Sequence, residues 1–411
     1  MAEWRSSTWG EEISLEYGKA LREYSDTPGR VRVYGTNGPV GWTDKALADG
    51  PGVILGRKGA YRGVKFSPDP FFVIDTAYFV VPKTELDMRW IYYAIIFYNL
   101  GKIDDGSPIP STTRAAVYPR PLNVPSLQEQ CAIAAVLGAL DDKIEQNRRT
   151  SRALERLVRA IFRAWFVDFE PVKAKAAGAK SFPSMPQETF DTLPSRFVDS
   201  ELGHVPAGWE VTRWGRIATL EYGKGLRGYA ESSGPYRVFG TNGTIGRHTE
   251  HLADGPGIVI GRKGAYRGVH FSPGAFWAID TAFYLKPKQS IDWKWAYYEI
   301  LRTDINSMDS GSAIPSTSRE DFYSIPVCVP SAGLFLAFDS IVEPLFNLRF
   351  AGGSQNNKLA ELRDYLLPKL LSGTVRLNLV CETPDTDAGV QAAPGGVHRR
   401  QAPRARSLTK D

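Results

Sequence analysis

The sequence predicts an α+β protein: two similar domains joined by two long antiparallel helices in a coiled coil, the halves related by an internal pseudo-twofold with a 205-residue repeat. Three observations predict it. The stretch Gly56-Arg57-Lys58-Gly59-Ala60-Tyr61-Arg62-Gly63-Val64 returns letter for letter as Gly261-Arg262-Lys263-Gly264-Ala265-Tyr266-Arg267-Gly268-Val269, 205 residues further along a chain of 411. Each half holds short apolar or aromatic runs punctuated by Asn-Gly, Gly-Pro and Ser-Pro, the pattern of strands and turns. After each such region the spacing of apolar residues lengthens to three and four, the helical period.

The repeat holds without a gap over most of each half. Glu16-Tyr17-Gly18-Lys19 matches Glu221-Tyr222-Gly223-Lys224, and Gly35-Thr36-Asn37-Gly38 matches Gly240-Thr241-Asn242-Gly243. Ile74-Asp75-Thr76-Ala77 matches Ile279-Asp280-Thr281-Ala282, and Ile109-Pro110-Ser111-Thr112 matches Ile314-Pro315-Ser316-Thr317. Trp4 and Trp9 pair with Trp209 and Trp214. Two units are too few for a solenoid, so the pattern reads as a duplicated domain.

In the first domain, 1–126, strands are expected at Arg30–Tyr34, Val53–Leu55, Phe71–Ile74 and Tyr78–Val81. A helix follows from Met88 to Leu100 with an aromatic face at Trp90, Tyr93 and Phe97. From Ser126 to Asp168 nothing breaks a helix. Leu137, Leu140, Ile144, Leu154, Val158, Ile161 and Trp165 form a seam in which Asn147 and Ser151 are polar interruptions. The connecting helix is assigned to 127–170 and a Pro/Ser/Ala-rich linker to 171–205. The second domain occupies 206–331. The second connecting helix, 332–377, places Val342, Leu345, Leu359, Leu366 and Leu370 at the repeat offset, but Pro344, Gly352-Gly353 and Pro368 predict a kink or interruption. Residues 378–411 read as a disordered basic tail.

Composition is that of an ordinary globular protein, with a net charge of +5. The last fifteen residues hold five Arg or Lys and one Asp, so four of those five charges lie in the tail. Any electrostatic footprint in the body must be local. Three distant cysteines, Cys131, Cys328 and Cys381, match no zinc spacing and fit reduced thiols. No apolar run approaches the length of a membrane span and no leader precedes the chain, so a cytoplasmic protein without a membrane partner is expected.

The candidate binding residues cluster in the repeated motifs. Each nine-residue stretch is a strand delivering a tight loop in which glycine lets the backbone approach a polyanion and cations supply charge. Arg57, Arg62, Arg262 and Arg267 have the fork geometry for guanine edges or for phosphates, and the sequence does not separate the two uses. Lys58 and Lys263 fit phosphates, and Tyr61 and Tyr266 share the loops. Thr36-Asn37 and Thr241-Asn242 lie in a strong turn signal, read equally well as a hairpin or as an adenine-edge reader. Lys19, Arg22, Lys224 and Arg227 flank the same surface. Ser111, Thr112 and Arg114, with Ser316, Thr317 and Arg319, are candidates for holding phosphates.

There is no Walker phosphate loop, no Asn-Pro-Pro-aromatic methylation motif, no carboxylate set of a metal nuclease and no Cys/His cluster. His248 and His251 occur only in the second half. The chain therefore reads as a binder with no catalytic residues, metal or cofactor of its own. Rival readings are a duplicated carbohydrate or peptide adaptor, which has no use for paired basic loops, and an enzyme with a site between the halves, which needs a converging acid–base set.

Further stretches carry a family resemblance. Val124-Pro125-Ser126-Leu127-Gln128-Glu129-Gln130 opens the first long helix, and Trp165-Phe166-Val167-Asp168-Phe169-Glu170-Pro171-Val172-Lys173-Ala174-Lys175 closes it. The second half closes on Leu366-Leu367-Pro368-Lys369-Leu370-Leu371-Ser372-Gly373. With the Gly-Arg-Lys-Gly loops, these resemble the specificity subunit of a type I restriction–modification system, along the chain to about residue 378. The resemblance implies two target-recognition domains on double-stranded DNA, two modification (methyltransferase) subunits docked along the helices, and restriction/translocase subunits outside them. S-adenosylmethionine, ATP and Mg²⁺ would belong to those partners. One departure is that Val329-Pro330-Ser331 continues as Ala332-Gly333-Leu334 rather than as Leu-Gln-Glu-Gln. Antiparallel helices would present the domains in inverted orientation, so the expected target is bipartite, with two related half-sites around a spacer that is not read.

Overall fold

The structure, a computed structural model, describes residues 3–24, 29–103, 110–308 and 315–377. Ile109, Ile314, Cys381 and the stretch expected as a tail, 378–411, lie outside the described residues. Two compact units are present. One runs through Gly138 and resumes at Tyr365; the other is Ala139–Asp364.

In the first unit four strands form an antiparallel sheet in the order Ile13–Tyr17, Ala77–Pro82, Gly52–Gly56, Val64–Ser67. A second sheet orders Gly38–Thr43, Val31–Gly35 and Phe71–Val73, the last pair parallel. The strand Gly52–Gly56 is buried at all five positions. Its two faces serve different clusters, as a period of two requires. Val53 and Leu55 pack with the helix Met88–Phe97, while Ile54 packs with Tyr34, Phe71, Val73 and Ala77. That helix starts where Asp87 accepts from the Trp90 N–H at 2.7 Å, an N-cap. It stops at Phe97 rather than at the expected Leu100. Asn99 takes the left-handed conformation, φ 54°, and a 3-10 turn Leu100–Lys102 follows.

The second unit uses the same strand orders. Ala218–Tyr222, Ala282–Pro287, Gly257–Gly261 and Val269–Ser272 make the antiparallel sheet, and Gly243–His248, Tyr236–Gly240 and Phe276–Ala278 the mixed one. Ile258 and Ile260 join the large core, while Val259 joins Phe239, Phe276, Ala278 and Ala282 on the other face.

The first long helix spans Leu127–Phe162 and closes in a π turn, Arg163–Val167. The second is continuous over Ala332–Leu371, through Pro344, both glycines and Pro368. The expected interruption is absent because burial on either side of each weak point holds the helix: Val342 and Phe346 around Pro344, Leu367 and Leu370 around Pro368. Tertiary packing, rather than propensity, supplies most helix stability in a folded protein. Within the second unit the two helices run antiparallel. Asp141 accepts from Arg363 at 2.7 Å, Asn147 donates to Asn356 at 2.9 Å and to Gln355 at 2.8 Å, and Glu155 pairs with Arg349. Gly352 and Gly353 leave room for a side chain: a Cβ at Gly352 would meet only Asn147 Cβ, at 3.8 Å, and one at Gly353 nothing within 4 Å. Gly353→Ala should therefore stabilise the chain by about 0.5–1 kcal/mol, the helix-propensity difference, read as a higher urea midpoint.

The stretch expected as a linker is instead built into the second unit. It contains the helices Glu170–Ala176 and Gln187–Thr192 and the strand pair Phe197–Ser200 and Gly203–Pro206. Val172, Met185, Phe190 and Leu193 are buried in the core, and Lys175 Nζ donates to the carbonyls of Asp191 and Leu193, both at 2.7 Å. Its proline and serine content read as a tether; its widely spaced apolar anchors make it structural. Among the described residues no helix is long and apolar enough to cross a membrane.

Candidate nucleic-acid interface

The repeated motifs, scattered along each half, come together around the basic loop. In the first unit the Gly63 N–H donates to Thr36 O at 2.8 Å and Thr36 Oγ1 to Lys58 O at 2.6 Å, so the Gly-Thr-Asn-Gly turn and the loop are one assembly. The Arg57 N–H donates to Thr76 O at 3.0 Å, the Gly59 N–H to Pro110 O at 3.0 Å and the Thr112 N–H to Arg57 O at 2.9 Å. Lys58 and Ser111 form a β-bridge. The second unit repeats each contact: Gly268 to Thr241 at 2.9 Å, Thr241 Oγ1 to Lys263 O at 2.6 Å, Arg262 to Thr281, Gly264 to Pro315 and Thr317 to Arg262, each at 2.9 Å, and the bridge Lys263 to Ser316. Glycine is required at Gly56 and Gly261, where a Cβ would sit 2.0 and 2.2 Å from the carbonyl oxygens of Thr36 and Thr241. Gly59 and Gly264 take φ of 109° and 113°, which favours glycine.

The tip of each loop faces outward. Tyr61 and Tyr266 are each 81 % exposed, far more than a tyrosine in a folded protein needs to be, and Lys58, Lys263, Asn37 and Asn242 are exposed beside them. Lys19 and Lys224 are exposed too, tied through their N–H groups to Val73 O and Ala278 O at 2.9 Å, next to the turns that hold the loops. Arg22 and Arg227 are exposed, but among the described residues no side-chain bond links them to this group.

Other predicted contacts turn inward. Arg62 donates to the carbonyls of Gly59 at 2.8 Å, Ile103 at 2.8 Å and Gly101 at 3.2 Å. Arg267 is 4 % exposed and donates to Asn306 O at 2.8 Å and Ile305 O at 3.2 Å, while Asn306 Oδ1 accepts from its backbone N–H at 2.9 Å. These guanidiniums staple the loop to the segment after the preceding helix. Thr112 and Thr317 are buried; Thr317 Oγ1 donates to Gly261 O at 2.8 Å and Thr112 Oγ1 to Leu100 O at 3.4 Å. Thr36 and Thr241 use their hydroxyl protons on the loop. All six support the loop rather than line its outer surface, because each donates to main-chain carbonyls, Arg267 through Nη2 alone while its Nε and Nη1 are buried without a hydrogen-bond partner.

Arg57 and Arg262 lie between these extremes. Arg57 donates to Asp75 O at 2.8 Å and Arg262 to Asp280 O at 2.9 Å. Each also stacks on a half-exposed tyrosine, at 5.1 Å from the Tyr17 ring centre and 4.8 Å from that of Tyr222. A second cation near each ring is Arg114, at 4.5 Å from the ring centre, or Arg319, at 5.1 Å. Arg114 Nε donates to Leu15 O at 2.7 Å, and Arg319 to Tyr323 Oη at 3.0 and 3.2 Å. Hydrogen bonds to Tyr323, then to Tyr222, raise the affinity of Arg319 for its proton above the usual arginine value. Burial, followed by contact with Tyr17, pushes the Tyr78 hydroxyl up to about 12. Each unit thus carries a tyrosine with two arginines within about 5 Å of its ring centre, a cation–aromatic group. Tyr17 and Tyr222 were not among the residues expected from sequence, although both lie in the repeated Glu-Tyr-Gly-Lys.

The surroundings of the two loops differ. The strand position after each loop is Lys65 in the first unit and His270 in the second; burial lowers the His270 pKa and favours its neutral form. Trp42 carries Arg32 over its ring at 4.4 Å, whereas the equivalent of Trp42 is Arg247, donating to Pro235 O at 2.8 Å. Among the described residues no cluster of three His, Cys, Asp or Glu is placed to hold a metal ion.

The fold resembles that of a solved specificity subunit: the crystal structure of a type I restriction–modification system S subunit from M. genitalium superposes with a TM-score of 0.60 at 19 % identity, covering 89 % of this chain and 96 % of that one. The chain is a homologue of type I restriction enzyme specificity subunits. The MjaIX specificity subunit of Methanocaldococcus jannaschii is 24 % identical over 90 % of this chain and 88 % of its own length. The HindI specificity subunit of Haemophilus influenzae is 23 % identical over 65 % and 71 %. No family model matches the chain.

Proposed function

We propose that this chain is the DNA-specificity subunit of a type I restriction–modification complex. Domains 1–126 and 206–331 each read one half-site of a bipartite target, and the helices Leu127–Phe162 and Ala332–Leu371, paired as a coiled coil, set the unread spacer. The observation that carries this reading is the paired loop: two letter-identical, basic, tyrosine-tipped turns, each held by the same backbone contacts and each with its tip in solvent. The contact surface in each half consists of the loop Lys and Tyr, the neighbouring Asn, the flanking Lys and the stacked arginine pair. Arg–guanine and Asn–adenine pairings are the recognition chemistry open to it, and lysines supply phosphate contacts. The Asn147–Asn356 pair sets the register of the helices.

Catalysis belongs to partners in this reading. Two methyltransferase subunits dock along the helices and restriction/translocase subunits lie outside them, in the cytoplasm. Exposed Leu336, Leu348 and Leu362 on the second helix are suited to a docked helix. Co-expression with an adenine methyltransferase partner, followed by long-read mapping of methylated sites, tests the proposal. The expected result is a motif of two short, related, oppositely oriented halves around a fixed gap. A continuous motif, or two wholly dissimilar halves, would count against it.

A further inference from the structure

The first long helix carries a feature that the paired loops do not use. Between residues 148 and 163 the sequence holds six arginines, Arg148, Arg149, Arg152, Arg156, Arg159 and Arg163, against one acid, Glu155. At roughly 100° per residue, all six fall within an arc of about 100°, and every position in that arc over this stretch is arginine. The stripe is about 22 Å long. All six residues are exposed. Arg149 and Arg152 share Glu145, Arg159 pairs with Glu155 and Arg163 with Asp168, all on the same chain segment. Among the described residues Arg148 and Arg156 have no ion-pair partner. Local pairs of this kind balance only part of such a face.

The lower end of the stripe leads to the recognition loop of the same unit. Arg159 and Arg163 line a cavity of about 400 Å³ together with Arg302. Three and four residues beyond Arg302 stand Ile305 and Asn306, whose carbonyls clamp Arg267 in the basic loop. That is a chain distance of at most about 14 Å. A helix-docking partner needs apolar knobs; the large exposed apolar residue of this stretch, Leu157, lies about 80° outside the arc, and Leu336, Leu348 and Leu362 lie on the other helix. The arginine arc offers none.

We infer that this stripe is a second, sequence-independent DNA contact, binding duplex phosphates alongside the half-site read by the second unit's loop. It rests on the reading of the chain as a DNA-specificity subunit. A row of arginines along one helix face is the electrostatic footprint of a polyanion. Each neutralised phosphate adds about 0.9 to the dependence of log affinity on log salt.

The test uses the full-length chain, with Arg148→Gln, Arg152→Gln and Arg156→Gln combined, and the same three positions changed to Lys. Affinity for a duplex bearing the mapped motif and for a scrambled duplex is measured by fluorescence anisotropy across a salt series. The glutamine variant should lose tenfold or more in affinity for both duplexes, with the salt slope smaller by about two to three and the target-to-scrambled ratio unchanged. The lysine variant should retain most of the slope. An unchanged slope in the glutamine variant overturns the inference while leaving the function reading intact. So does unaltered DNA affinity with loss of methyltransferase co-purification, which would make the stripe a protein-docking face. A parent chain that fails to distinguish the two duplexes strikes the function reading itself, since the stripe has no part in choosing sequence.

Discussion

Arg267→Ala is expected to destabilise the second unit by about 2–4 kcal/mol, and its loss of DNA binding to follow from that. The guanidinium is buried and its Nη2 donates to both Ile305 O and Asn306 O. Truncation leaves those carbonyls without their charged donor and opens a cavity beneath the loop. Thermal unfolding should show the effect directly, as a midpoint lower by several degrees. Arg62→Ala should cost less, about 1–2 kcal/mol, because Arg62 is only partly buried. Wild-type melting in both variants together with lost affinity would mean that these arginines touch DNA, contrary to their placement.

The opposite separation is expected at the loop tips. Tyr61→Ala with Tyr266→Ala, or Lys58→Ala with Lys263→Ala, should leave stability within about 0.5 kcal/mol, because the exposed side chains support nothing in the fold. The lysine pair should lower the salt slope of DNA binding by about two and weaken all sequences alike. The tyrosine pair, if the rings stack on or wedge against bases, should cost on the order of 1 kcal/mol or more per loop. Anisotropy titrations of target and scrambled duplexes separate these effects. Full affinity and full discrimination in both the tyrosine pair and the lysine pair would sink the assignment of the loops as the reading surface.

Much of this was legible in the sequence because the duplication acts as an internal control. Three of the stretches that recur letter for letter prove to be turns that hold the loop: Gly-Thr-Asn-Gly, Ile-Asp-Thr-Ala and Pro-Ser-Thr all bond to the nine-residue stretch. The strand Val53–Leu55 and the first long helix followed from periodicity, the signal that local sequence carries best. What sequence could not give was the destination of each donor. Arg62 and Lys58 look alike as cations in a glycine-rich loop. One is spent on carbonyls of residues 101 and 103, around forty positions away, and the other points to solvent. Tyr17 escaped for a related reason. Its partners Arg57 and Arg114 come from distant parts of the chain, and only the fold brings them to one ring. The second helix misled in the other direction: proline and glycine lower propensity locally, while the buried Val342, Phe346, Leu367 and Leu370 act from the tertiary level.

The stapled arginines also bear on how quickly the loops can trade one sequence for another. A hairpin already pinned by carbonyls at its root, by a threonine hydroxyl across its neck and by a bridge at its shoulder has little freedom left to surrender when a groove closes around it. Encounter should then be nearly rigid-body, with small entropic penalty. Correct and incorrect sites would be captured at similar rates and told apart by how long each is kept.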